Sequence, residues 1–187
     1  MTEVFSLPGK LKKTMIDLCK RASHGSVLEL GAGESPYSEA DVTIDIREDL
    51  EEIDYGGVDV GSDTLPVDDE CFDVGGMFQV LEHIPADSIG NLFRECDRVL
   101  RHSGLLHIEL PHAGTISAHT DLTHQGSGGT TPAVRRYFED GGSQQYWSDL
   151  AWDVETQAEL SFPTVVAGSR RVSWTIRNAA VSHAFTK

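Results

Sequence analysis

Three histidines and a carboxylate crowd one stretch of this chain: His112, His119, Asp121 and His124, the last three within Ala118-His119-Thr120-Asp121-Leu122-Thr123-His124-Gln125. A neutral imidazole beside a carboxylate can take the proton of a hydroxyl or amine as that atom attacks an electrophile. His124 and Asp121 are therefore candidate catalytic residues. The same groups could hold Zn²⁺ or Fe²⁺, or the histidines could pair with local carbonyls. His83, preceded by Glu82, is a second candidate base. Its bland alternative is a helix-start residue satisfied by backbone, and no metal ligand is assigned.

A second constellation lies upstream. Ser26-Val27-Leu28-Glu29-Leu30-Gly31-Ala32-Gly33 is a short apolar run that breaks into two glycines. Strand-then-glycines is the entry to a nucleotide-type pocket in a doubly wound sheet. The dinucleotide fingerprint fails, because its third glycine would fall at Pro36, which lacks an N–H and blocks close backbone approach. The acid on the next apolar run, Asp45, comes only 12 residues after Gly33, too close for dinucleotide spacing. A carboxylate at a strand tip can still accept hydrogen bonds from both hydroxyls of a ribose.

The elements that must position these groups follow from periodicity. Residues 9–23 read as an amphipathic helix, expected to pack on the sheet or cover a pocket. Strands are expected near 26–30, 41–46, 58–60, 72–79 and 105–110. The first crossover, Gly31 to Ala40, has room for one helical turn around Ser35–Glu39. Residues 87–101 give the clearest helix, with Asp87 as a cap and Gly104 after the end. A further helical stretch is expected at 132–139. Two strands with period-two alternation close the chain, one carrying Trp152, Val154, Ala158, Leu160 and Phe162, the other Val172, Trp174 and Ile176.

Taken in order, the motifs resemble those of the class I S-adenosylmethionine-dependent methyltransferases, and among them a small group whose fourth-strand motif reads V-L-E-H-I. Glu29-Leu30-Gly31-Ala32-Gly33 matches E/D-x-G-x-G, and Asp45 matches the second-strand acid. Val58-Asp59-Val60, then Leu65-Pro66-Val67-Asp68-Asp69-Glu70-Cys71-Phe72-Asp73, resembles the third-strand acid and an L-P-F-x-D-x-S-F-D run. Gln79-Val80-Leu81-Glu82-His83-Ile84 and Arg98-Val99-Leu100-Arg101-His102-Ser103-Gly104-Leu105-Leu106 complete a match over roughly 26–112. The histidine segment resembles a D-P-T-H segment of that group, with Leu122 in place of proline.

The resemblance implies an α/β fold: one doubly wound, mostly parallel, seven-stranded Rossmann-like sheet with a terminal antiparallel strand. It divides the chain into an N-terminal helix (1–25), a cofactor-binding core (26–110), a substrate-side loop and helix (111–150) and a terminal strand pair (151–187). S-adenosylmethionine is the implied cofactor. Gly31, Ala32 and Gly33 would turn beneath it, and Glu29 would orient that loop or the methionine amino group. Asp45 would take the ribose, Ile46, Asp59 and Val60 the adenine, and Gln79 and Val80 the opposite side. Related ubiquinone-type O-methyltransferases carry E-x-x-E-H at the fourth strand, implicated in divalent-metal binding; here Gln79 replaces the first Glu. Methyl transfer to a small polar acceptor, at oxygen or nitrogen, is the expected activity. A cofactor-binding regulatory protein without turnover, and a metal-dependent enzyme built on the histidine loop, are the alternatives.

Composition narrows the partners. With 187 residues, 39% of them hydrophobic and 24% charged, a single globular domain is expected. Thirty acids against fifteen bases give a net charge of −15, which repels nucleic-acid backbones and anionic membranes. Such acidity with only five lysines suits a salt-adapted protein, the alternative being an acidic protein without that adaptation. The start, Met1-Thr2-Glu3-Val4-Phe5, lacks a signal-peptide layout, and no apolar run approaches a membrane span. Cys19, Cys71 and Cys96 are few and widely spaced, which fits reduced thiols in a cytoplasmic protein.

Overall fold

Most short apolar runs of the first half become strands. The computed structural model describes residues 25–111, 113 and 117–126, together with the strand paths of 153–165 and 175–186. The expected helices at 9–23 and 132–139, and His112, Trp152, Val172 and Trp174, lie outside the described residues. Strands β1 (Val27–Leu30), β2 (Val42–Asp45), β3 (Tyr55–Gly56), β4 (Phe72–Phe78), β5 (Leu100–Pro111), β6 (Asp153–Val165) and β7 (Thr175–Thr186) form one sheet. Its order is β3-β2-β1-β4-β5-β7-β6. The first five strands pair in parallel, while β7 runs against both β5 and β6. The chain leaves β1 towards β2 and returns to its other side as β4. That reversal opens a crevice between the carboxyl ends of β1 and β4, where such sheets take ligands.

Alternation divides β1 between two cores. Leu28 and Leu30 face a large cluster that includes Ile44, Met77, Leu106 and Ile108. Val27 faces a smaller one with Tyr37, Val74 and Phe78. Helix α1 (Ile89–Val99) covers the large cluster, burying Leu92, Phe93, Cys96 and Val99 on one face. Each such side chain contributes roughly 1.5–3 kcal/mol when taken out of water. Burial also pushes the Cys96 thiol up to about 12, so it stays a neutral core group.

Arg98 fastens α1 to the preceding loop. Its guanidinium donates to Glu95 and Asp69, and to the carbonyls of Leu65 and Val67. Glu95 in turn accepts from Leu65 N–H at 2.8 Å. Asp73 accepts from Ser26 N–H and from Arg101, joining β1, β4 and β5 at the end of the sheet opposite the crevice. These motif residues hold the frame.

Several expected boundaries move, each for a local reason. The first crossover contains only turns and no helical turn at 35–39. Tyr37, 5% exposed, lies on the smaller core instead, covering sheet that a helix would otherwise protect. The third strand falls at Tyr55–Gly56 rather than 58–60. Gly57 at φ +78° turns the chain out of the ladder, and Asp59 accepts from Gly61, Ser62 and Asp63 N–H to wind it into a tight turn. Helix α1 starts after Ser88 with no side-chain cap, so Asp87 does not cap it. The helix runs straight into β5 at Leu100, and Gly104 sits in a bulge of that strand beside left-handed Ser103. No helix among the described residues is long and apolar enough to cross a membrane.

Candidate active site at the strand tips

Sharp turning at the end of β1 has two causes. Gly31 and Gly33 adopt φ of +67° and +70°, a region that costs other residues free energy. A Cβ on Gly31 would also run into the Val80 side chain at the end of β4. The N–H groups of Gly31 and Ala32 both donate to the Ile44 carbonyl, at 2.8 and 3.2 Å, pinning the turn to β2. Glu29 is fully buried, and its carboxylate accepts from Tyr37 N–H at 2.6 Å. That bond ties Glu29 to the loop after β1.

Asp45 stands at the tip of β2. One carboxylate oxygen accepts from Gly33 N–H at 2.8 Å, the other from Arg47 N–H and Nε at 3.0 and 3.2 Å. Burial alone would raise its pKa, but these hydrogen bonds and the Arg47 charge outweigh it and hold the carboxyl below its ordinary value. Arg47 also reaches towards Glu34 at 3.5 Å and is 43% exposed. Nothing in the sequence motifs singled out Arg47; its place two residues beyond a strand-tip acid was the only signal.

The other cofactor-side candidates lie just beyond the ends of β2, β3 and β4. Ile46 is 63% exposed, an unusual surface position for isoleucine beside an acid. Val58 N–H donates to the Asp45 carbonyl, which brings the Asp59–Val60 turn alongside β2. Asp59 is half-buried and Val60 lies in the core. Gln79 ends β4 with φ +57°, a strained conformation for a residue with a side chain. It is held there by its N–H to the Glu109 carbonyl at 2.8 Å.

Just beyond Val80, a 3₁₀ turn (Leu81–His83) meets the loop that follows the short helix α2 (Ser117–Thr120). Gln125 N–H donates to the Glu82 carbonyl at 2.8 Å and joins the two segments. The rings of His83 and His124, the rival bases of the sequence, stand edge to face with centroids 4.7 Å apart. Thr123 Oγ1 donates to Asp121 at 2.6 Å, so its oxygen is left to accept from His83 Nδ1 at 3.1 Å. His83 is thereby fixed with its proton on Nδ1 and a lone pair on Nε2. His124 Nδ1 faces the Ala118 carbonyl at 3.2 Å and takes the same tautomer, with Asp121 3.9 Å from its Nε2.

Asp121 is held below the usual carboxylate range by the Thr123 hydroxyl and N–H. Glu82 is its opposite. It is 3% exposed, and neither of its carboxylate oxygens has a hydrogen-bond partner among the described residues. Burial, with the charges of Glu109 and Asp121 nearby, pushes its carboxyl up to about 7. His119 stands apart, its Nε2 2.8 Å from the Ala113 carbonyl. Thr123 was not anticipated, although it directly precedes His124.

A family model for a methyltransferase domain matches residues 11–108, more than half of the chain. No curated protein sequence matches. A Bacillus halodurans C-125 protein assigned as a methyltransferase shares the fold with a TM-score of 0.68 at 12% identity, over 94% of this chain and 98% of its own. An S-adenosylmethionine-dependent methyltransferase from Archaeoglobus fulgidus gives 0.61 at 14% identity, over 96% and 94%. The N-methyltransferase NodS from Bradyrhizobium japonicum WM9, in complex with S-adenosyl-L-homocysteine, gives 0.63 at 10% identity, over 99% and 89%. At these identities the likenesses establish the fold. With the matched residues carrying the glycine turn, the strand-tip acid and β4, the chain belongs to the methyltransferase-domain family, enzymes that use S-adenosylmethionine.

Proposed function

We propose that the protein transfers a methyl group from S-adenosylmethionine to an oxygen or nitrogen of a small polar acceptor, with His124, in ring contact with His83, withdrawing the acceptor's proton. The carrying observation is the meeting of those two rings, each with Nδ1 tied off, directly after the β4 tip. Cofactor residues fit the donor. The left-handed glycines leave backbone without side chains at the crevice, and Asp45 offers charged acceptors for ribose hydroxyls once Arg47 moves aside. Exposed Ile46 gives the adenine an apolar face, and the Asp59 turn lies beside it.

When bound, the cofactor supplies a methyl made electrophilic by its sulfonium. The remaining work belongs to this chain. Gly31–Gly33, Asp45 and the β4 tip hold the donor in one place, and the loop after β5 presents the acceptor. That is mainly catalysis by orientation. A Nε2 lone pair takes the proton of the attacking hydroxyl or amine, and Asp121 stabilises the imidazolium that results. High negative charge argues against nucleic acid as the acceptor.

The test is His124→Ala with turnover and cofactor affinity measured together, on acceptors identified by mass spectrometry of what co-purifies. Turnover should fall by roughly 10²–10⁴-fold with S-adenosylmethionine affinity nearly intact. Full activity in that variant would remove the histidine from the mechanism.

A further inference from the structure

We infer that Glu82, His83 and His124 form a binding site for one divalent transition-metal ion. The three residues each offer a ligand atom, and those atoms lie within 4.8 Å of one another. Ligands of a tetrahedral ion at about 2.1 Å stand about 3.4 Å apart, so side-chain rotations moving each atom by about an ångström bring all three onto one centre.

Three features point the same way, the second and third sharing the Thr123–His83 contact. Glu82 is a carboxylate 97% withdrawn from solvent by its 3% exposure, and both its oxygens are without a partner among the described residues. A buried polar group with no hydrogen bond costs free energy, and a cation is what such a group lacks. Secondly, both imidazoles carry Nδ1–H on a fixed acceptor, which leaves Nε2 as the lone pair; this is how metal-ligating histidines are oriented. Thirdly, the Asp121–Thr123–His83 chain supplies a carboxylate behind a histidine ligand, raising its basicity.

The donor set sets the class of ion. Two imidazoles and one carboxylate favour Zn²⁺, Fe²⁺ or Co²⁺ over Mg²⁺ and Ca²⁺, which prefer oxygen. Three protein ligands leave a position open for water or substrate, as in catalytic sites. The arrangement differs from the E-x-x-E-H pattern of the ubiquinone-type relatives. Gln79, at the position of the first Glu, is exposed and reaches towards Glu109 at 3.4 Å, and the third ligand comes instead from His124 beyond β5. An ion would take up the same Nε2 lone pairs that the base reading uses, so the two readings exclude each other at these atoms; the inference concerns binding and does not depend on turnover.

The experiment is calorimetric titration of chelator-treated full-length protein with ZnCl₂, and with CoCl₂ followed by visible absorption. One equivalent should bind, and Co²⁺ should give the d–d bands of a low-coordinate nitrogen–oxygen site. His124→Ala, His83→Ala and Glu82→Gln should each weaken binding by at least about 100-fold, and Thr123→Val, which acts through His83, by about 10-fold. His119→Ala and Gln79→Ala should leave it unchanged. Absence of a stoichiometric site, or Zn²⁺ affinity untouched by His124→Ala, would overturn the inference. If a variant fails to fold, the wild-type Co²⁺ spectrum and a metal-induced rise in Tm decide alone, and featureless spectra with no rise would refute it. Cofactor affinity is measured in parallel. Lost metal with intact S-adenosylmethionine binding sinks this inference only, and the converse sinks only the proposed function.

Discussion

Gly31→Ala is the most direct probe of how the crevice is built, because its cost divides into two separable parts. The residue sits at φ +67°, and left-handed backbone costs a non-glycine residue about 1–2 kcal/mol. Its new methyl would also collide with Val80, which is 8% exposed and cannot simply move into solvent. Overpacking of that kind costs about 1–3 kcal/mol, so the single variant should lose about 2–5 kcal/mol of stability in urea unfolding followed by circular dichroism. Val80→Ala alone removes buried methyl groups and should cost about 1.5–2.5 kcal/mol. In the double variant the collision disappears while the backbone penalty stays. The double-mutant cycle should therefore show a favourable coupling of about 1–3 kcal/mol, against the ~0.3–0.5 kcal/mol scatter of non-interacting sites. Zero coupling would mean that Val80 does not define the floor of the glycine turn, and the account of that turn would be wrong. Cofactor affinity should fall in the Gly31→Ala protein and recover only partly in the double variant.

Three further outcomes follow from other parts of the structure. Asp45→Ala should weaken S-adenosylmethionine binding by about 1.5–3 kcal/mol through lost charge-assisted hydrogen bonds, whereas Arg47→Ala, which removes a competing donor, should not weaken it; calorimetry on both reads the difference. Glu95 is held below its ordinary pKa by the Arg98 hydrogen bonds, against the effect of its own burial. A carboxyl depressed in the folded state stabilises fully above its unfolded pKa and loses that contribution as pH falls through the folded one. The stability gap between wild type and Glu95→Gln, about 1.5–3 kcal/mol at neutral pH, should thus shrink below about pH 4.5, and a gap independent of pH would contradict the ion pair. Finally, with a net charge of −15, Tm should rise from dilute buffer to molar KCl if repulsion limits stability; a flat or falling Tm would count against salt adaptation.

Strands were legible where local pattern and tertiary demand agree. β1, β2 and β4 are short apolar runs ended by glycine, aspartate and a strained glutamine, and each lies within a residue or so of its expected bounds. The third strand was misplaced because Val58-Asp59-Val60 alternates like a strand, yet Gly57 and the Asp59 turn take its hydrogen bonds. Periodicity cannot see that competition. The missing first crossover helix was half visible, since ten residues are few for one. Its replacement by a buried tyrosine was not visible, because Tyr37 belongs to no periodic pattern.

The candidate site's geometry was hidden for a different reason. Forty residues lie between His83 and His124, and motif spacing says nothing about contacts made across a sheet. What joins them is backbone: Gln125 N–H on the Glu82 carbonyl sets the later loop against the 3₁₀ turn, and the ring contact follows. Read separately, each histidine had a bland explanation in a nearby carbonyl, and His119 indeed has one. Read together, the Nδ1 bonds to Thr123 and Ala118 do more than satisfy two rings, because they leave two Nε2 lone pairs beside a carboxylate that water does not reach. Two bases in contact are redundant for taking one proton. The same redundancy is what a shared cation requires. The base and metal readings therefore separate cleanly in the single variants: a lone base at His124 leaves His83→Ala active, whereas a shared ion makes both substitutions, and Glu82→Gln with them, fail together.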